Sequence, residues 1–133
     1  MGYPTDQDFE ESHRRRAPPG YGKGQLRPTI VCLCGSTRFS EAFQKANFDE
    51  TLAGRIVLSI GCDTKADADL FKGPNTAEIK ARLDELHKRK IDLADEILVL
   101  NVGGYVGEST SSEIQYASRL GRRVRWLEPP DGK

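Results

Sequence analysis

The apolar positions of the chain fall into two alternating patterns. "TIVCLC", Thr29 to Cys34, is apolar on both faces, which predicts a central strand of a parallel sheet covered on each side. From Ser40 to Ala53 the pattern turns helical. Phe39, Phe43, Ala46 and Leu52 mark its buried side, and Gly54 is a stop signal. "RIVLSIG" predicts a second strand over Arg55 to Ile60. "CDTKADADLFKGPN" then reads as a surface loop with some local helix. A long helix is predicted from Thr76 to Leu93, with Ile79, Leu83, Leu86 and Ala94 as its stripe and Lys90 interrupting it. "EILVLNV", Glu96 to Val102, is a third strand, followed by the loop "GGYVGES". A helix from Thr110 to Leu120 stops at Gly121, and "RVRWLE" supplies a fourth strand.

Strands alternating with helices predict an α/β fold: an open, doubly wound parallel sheet of four to five strands, flavodoxin-like or Rossmann-like, in the order 2-1-3-4. Right-handed crossovers bring the strand C-termini to one edge. The chain reverses direction between strands 1 and 3, and ligands bind at such a switch point. The two loops expected there are "GSTRF" and "NVGGYVGEST".

Residues 1–27 have no hydrophobic period and are rich in Pro, Gly and charge, so they read as a disordered or loosely packed arm. Residues 28–133 form the single α/β domain. Arg14, Arg15 and Arg16 suit a solvated tail better than a phosphate contact. Lysine plus arginine equals aspartate plus glutamate, 20 against 20, which argues against nucleic acid or an anionic membrane as partner. No apolar run approaches the roughly 20 residues of a membrane span. No apolar signal-peptide core precedes the domain, so the expected location is cytoplasmic.

The three cysteines, Cys32, Cys34 and Cys62, do not make a disulfide framework. Cys32 and Cys34 point to one face of the first strand. With Cys62 and His87 they make four zinc ligands on paper, but a cysteine on a strand is more often a small buried hydrophobe. No metal and no organic cofactor is expected.

Two loops carry the candidate chemistry. Gly35 turns the chain sharply off strand 1, and the amides that follow open toward a helix N-terminus suited to anions. Ser36 and Thr37 add hydroxyls, and Arg38 adds a planar charged fork for phosphate or carboxylate. Ser and Thr are also common helix caps. In the second loop Glu113 stands three residues after Thr110, the capping-box spacing. One reading makes Glu113 a cap. The other makes it a carboxylate in the first helical turn, kept ionised by the helix dipole and poised at the crevice.

The stretch Glu108, Ser109, Thr110, Ser111, Ser112, Glu113, Ile114, Gln115, Tyr116, Ala117 resembles the signature of the nucleoside 2-deoxyribosyltransferase superfamily. That superfamily includes the nucleoside 5′-monophosphate N-glycosidases, and "GSTR", Gly35 to Arg38, is similar to their phosphate loop. The resemblance covers about Thr29 to Leu127. It implies that Glu113 attacks the anomeric carbon of a nucleoside or nucleotide and displaces the base through an oxocarbenium-like transition state. The sugar then passes to water or to a second base. The resemblance also implies a homodimer or higher homo-oligomer.

The chain departs from the family's pattern in three ways. Gln115 and Ser109 stand where glycine is usual. The family's second acid falls near His87, so His87, Asp84 and Asp92 are the candidates for protonating the leaving base. His87 is otherwise an ordinary helix-surface residue. Glu108 lies one position from where a transferase acid commonly sits. As a double-displacement pair, Glu108 and Glu113 need carboxyls about 5 Å apart. Gly103 and Gly104 leave the second loop flexible, so Tyr105 either stacks on the base or anchors the loop. Ser109 and Thr110 complete the substrate-binding set. Tyr116 and Trp126 read as core. The rival function is a non-catalytic nucleotide sensor that keeps the crevice and uses Glu113 only as a cap.

Overall fold

The structure is a computed structural model that describes residues 27–61 and 76–130. The expectations for most of the N-terminal arm, for Cys62 and for the loop that begins with it lie outside those residues.

Among the described residues eight elements follow one another: β1 (Ile30–Cys34), α1 (Ser40–Leu52), β2 (Ile56–Leu58), α2 (Thr76–Leu93), β3 (Glu96–Val99), a 3-10 turn (Val102–Gly104), α3 (Glu108–Arg119) and β4 (Arg123–Trp126). The four strands form one parallel sheet in the order β2-β1-β3-β4, the predicted order. β1 lies inside the sheet, which is why both its faces are apolar. Val31 and Leu33 pack with Leu98, Leu100, Phe43 and Ala46 on the α1 side. Cys32 and Cys34 pack with Ile97, Val99, Ile91, Ala94 and Ala117 beneath α2 and α3. Tyr116 and Trp126 lean on that second cluster as expected. Among the described residues no helix is long and apolar enough to cross a membrane.

Two predicted stripes need correcting. Leu52 is 71% exposed, and the buried side of α1 is Phe43, Ala46 and Glu50. Leu52 lies nine residues after Phe43, about 180° around the helix at 100° per residue, so it faces away. In α2, Leu86 is 53% exposed, while the buried residues are His87 and Ile91. Ile79, Leu83, His87 and Ile91 repeat every fourth position, and the histidine occupies an apolar slot on the inward face. His87 is therefore an interior residue, contrary to its reading as a surface one. Lys90 leaves the stripe to donate to the Ser59 carbonyl at 2.6 Å.

The α1 side also holds an ion network that sequence pattern did not single out. Strand alternation puts Glu96 on the same side as Leu98. Arg125 bonds Glu50 and lies 3.1 Å from Glu96, while Arg55 approaches the same two carboxylates at 3.5 and 3.6 Å. Two buried acids thus meet two guanidiniums, and no charge is left uncompensated within the set.

Candidate functional site

The loop after β1 is shaped by close approach. The amide of Leu100 donates to the Cys34 carbonyl at 2.8 Å, and a Cβ on Gly35 would lie 3.1 Å from Leu100 Cβ and 3.3 Å from its carbonyl oxygen. Only glycine turns here without pushing β3 aside. The amides predicted to cradle an anion are partly used within the loop. Phe39 donates to the Ser36 carbonyl at 3.0 Å, and Arg38 donates to Ser36 Oγ at 3.4 Å. Thr37 and Arg38 stand exposed.

The second loop comes to the first. The Arg38 guanidinium sits 4.4 Å from the centre of the Tyr105 ring, and the ring meets Phe39 edge-on at 5.9 Å. Tyr105 thus makes the contacts of an anchor and remains 42% exposed. Gly103 and Gly104 take positive φ, 63° and 81°, which lets the chain turn there. The Gly103 amide is engaged by the Glu128 carboxylate at 2.8 Å, and Asn101 clasps the Glu128 backbone through two 2.9 Å hydrogen bonds.

α3 begins at Glu108 with Gly107 as its cap residue, two positions before the predicted start at Thr110. The bond from the Ser111 amide to the Gly107 carbonyl, 2.9 Å, opens the helix. This removes the capping-box reading. Thr110 is buried inside the first turn, and Glu113 lies in the second turn with its side chain turned inward, 7% exposed. Glu108, exposed at the first position, is five residues earlier and about 140° around the helix. The two carboxylates leave α3 in different directions, so Glu108 is not the facing partner of Glu113.

Glu113 approaches His87 instead. Its Oε1 is 3.9 Å from His87 Nε2. The same His87 nitrogen lies 3.5 Å from Cys32 Sγ and 3.5 Å from Cys34 Sγ. Both cysteines are free thiols. The four residues come from β1, α2 and α3 and lie under the point where the Gly35 loop leaves the sheet.

Burial sets the electrostatics of this cluster. Desolvation pushes the Glu113 carboxyl up to about 7 against the attraction of His87, with Cys32 and Asp84 adding repulsion. The dipole does not hold it ionised as predicted, because it sits past the first turn and away from water. The hydrogen bond from Cys34 favours the Cys32 thiolate and lowers its pKa, while Cys34 is held protonated. Burial opposes the imidazolium of His87, but the sulfur and carboxylate beside it outweigh burial and raise its pKa.

The other acids are divided by α2. Asp84 lies one turn from His87 toward the N-terminus of α3, where its carboxylate is 3.4 Å from Ser109 Oγ and 3.1 Å from Lys80 Nζ. Lys80 also donates to Ser109 at 2.6 Å. Asp92 is committed elsewhere, accepting from Tyr116 Oη at 2.5 Å and pairing with Arg89 at 3.3 Å. It does not join Glu113. The sequence puts Cys32 and Cys34 on one strand face and pairs them on paper with His87, but reads the two as buried hydrophobes; what it lacks is the place of His87 in the inward stripe of α2.

Fold and site together define an α/β protein of doubly wound order, with a buried thiol, imidazole and carboxylate cluster under its switch-point loops. No family model and no curated protein matches the chain.

Proposed function

We propose that the chain cleaves or transfers the N-glycosidic bond of a nucleoside or nucleoside 5′-monophosphate at the C-terminal edge of its sheet, with Glu113 as the nucleophile. The observation that carries this reading is the 3.9 Å approach of Glu113 to His87, next to the strand end from which the Arg38 loop departs. A carboxylate beneath a sugar ring stabilises the positive charge that grows as the base leaves, and the charge-charge attraction is strong where water is excluded. His87 in its charged form favours the ionised carboxylate needed for attack. Arg38, exposed and backed by Tyr105, is the group for a 5′-phosphate, and Asp84 is the nearest further acid for the departing base. Assembly into a homodimer or larger oligomer belongs to the same proposal. Phe48 and Leu52, one turn apart on the outer side of α1, offer exposed apolar surface for it.

A second reading has its own observation. Glu113 is 7% exposed and faces His87 rather than solvent, which suits a non-catalytic nucleotide-binding domain. The deciding experiment is release of free base from common nucleosides and their 5′-monophosphates by wild type and Glu113→Gln. Glycosidase chemistry requires release by wild type and none by the variant, with circular dichroism unchanged. No release by wild type, together with nucleotide binding in calorimetry, establishes the binding domain instead.

A further inference from the structure

We propose that Cys32, Cys34 and His87 form a three-ligand binding site for a thiophilic divalent cation of the zinc class. The three ligand atoms lie within 4.8 Å of one another, and all three residues are buried. Zinc bonds sulfur at about 2.3 Å and imidazole nitrogen at about 2.0–2.1 Å, so tetrahedral angles put S and N about 3.5–3.6 Å apart. Both sulfurs stand at 3.5 Å from His87 Nε2.

Hydrogen bonding alone accounts poorly for this arrangement. Nε2 carries either one proton or one lone pair, so in any tautomer it makes one good hydrogen bond. Here two sulfurs approach it equally, and a carboxylate oxygen comes to 3.9 Å. A single central cation gives the two sulfurs and Nε2 a common partner.

The donor set selects the ion. Two thiolates and an imidazole favour zinc and its soft neighbours over magnesium or calcium, which take oxygen ligands. The scaffold is also suited to holding the ligands. Cys32 and Cys34 project from one face of an internal strand, while His87 comes from one of the two helices that cover that face. The site brings its own elements together and needs nothing from outside the described residues. Cys62 is not required. Binding requires deprotonated sulfurs and a neutral imidazole, so it releases protons and metal affinity rises with pH.

This inference goes beyond the glycosidase proposal and does not depend on it. A cation bound there would lie close to the Glu113 carboxylate, so base release is assayed on the metal-free protein.

The test is titration of the reduced, chelator-treated full chain with cobalt(II) under anaerobic conditions. The expected result is one equivalent bound, with a sulfur-to-cobalt charge-transfer band, intense visible absorption from a tetrahedral site, and displacement of the cobalt by zinc. Cys32→Ser and Cys34→Ser should each weaken the charge-transfer band and lower affinity at least about tenfold. Glu113→Gln should keep the band, since both sulfurs and His87 remain. A wild-type chain with native circular dichroism and no charge-transfer band overturns the site, whether or not the variants fold. So does a folded Cys32→Ser chain that titrates like wild type. Cobalt binding, with no base release by the metal-free protein, keeps this inference and removes the glycosidase; base release by the metal-free protein without cobalt binding does the reverse.

Discussion

His87 on α2 and Glu113 on α3 meet at 3.9 Å over the two sulfurs of β1. The contact joins two helices through a buried pair of ionisable groups, between the polar contacts that Lys80 and Asp84 make to Ser109 and that Arg89 and Asp92 make to Tyr116. Such a pair is costly to bury unless its members satisfy one another, so each has consequences for the other and for the elements that carry them.

Arg38 is exposed and held by Tyr105, which supports a role in ligand binding more than in stability. Arg38→Ala should leave the melting temperature within about 2 °C, as expected of a surface change below roughly 0.5 kcal/mol. It should raise KM chiefly for phosphorylated substrates in steady-state assays. An equal rise for unphosphorylated nucleosides argues against a phosphate role.

Gly35→Ala tests the close approach of the first loop to β3. The added methyl meets Leu100 Cβ and its backbone carbonyl, neither of which moves freely. Urea unfolding should show a loss of about 1–3 kcal/mol, the usual cost of overpacking. Stability equal to wild type would mean that the loop can relax away from β3.

Arg125→Met removes the guanidinium shared by Glu50 and Glu96 and leaves Arg55 as their remaining partner. A loss of roughly 1–3 kcal/mol in denaturant unfolding is expected for a partly uncompensated buried acid. The further changes Glu50→Gln and Glu96→Gln in the same chain should restore much of it, because the orphaned charges are then gone. No recovery would place the effect in lost packing.

Asp95 bears on acid stability. It accepts the Ile30 amide at 2.8 Å and pairs with both arms of Arg27 at 2.7 and 2.9 Å, tying the segment before β1 to the end of α2. The Arg27 hydrogen bond holds its carboxyl below the usual aspartate range. A carboxylate with a lowered folded pKa adds stability at pH values above its unfolded pKa, about 3.9, and loses it as pH falls through the folded one. Asp95→Asn should therefore lower the melting temperature at pH 6 and converge with wild type well below pH 4. Parallel curves across that range would assign the effect to shape alone.

Much of the fold was legible because period and punctuation are local properties. α2 runs from Thr76 to Leu93 as its pattern predicts, and Gly54 and Gly121 follow helices with φ of 88° and 74°. The meeting of the two loops followed from crossover handedness, and Arg38 against Tyr105 realises it. The cluster was less legible. Leu86 was the apolar neighbour that disguised the true stripe, and a shift of that stripe by one residue turns His87 by about 100° from surface to interior. Thr110 and Glu113 fit a capping box in spacing, but the helix had already begun at Glu108.

The sequence alone determined which segments are strands and helices and the order in which the strands lie, since these rest on hydrophobic period, glycine stops and the handedness of crossovers. It also pointed to the loops that share an edge. Only the tertiary structure decided which side chains face one another. A small rotation of α2 and an earlier start of α3 brought His87 and Glu113 onto Cys32 and Cys34 and left Asp92 and Glu108 outside. Those facts depend on how three separate elements pack, and no local spacing contains them.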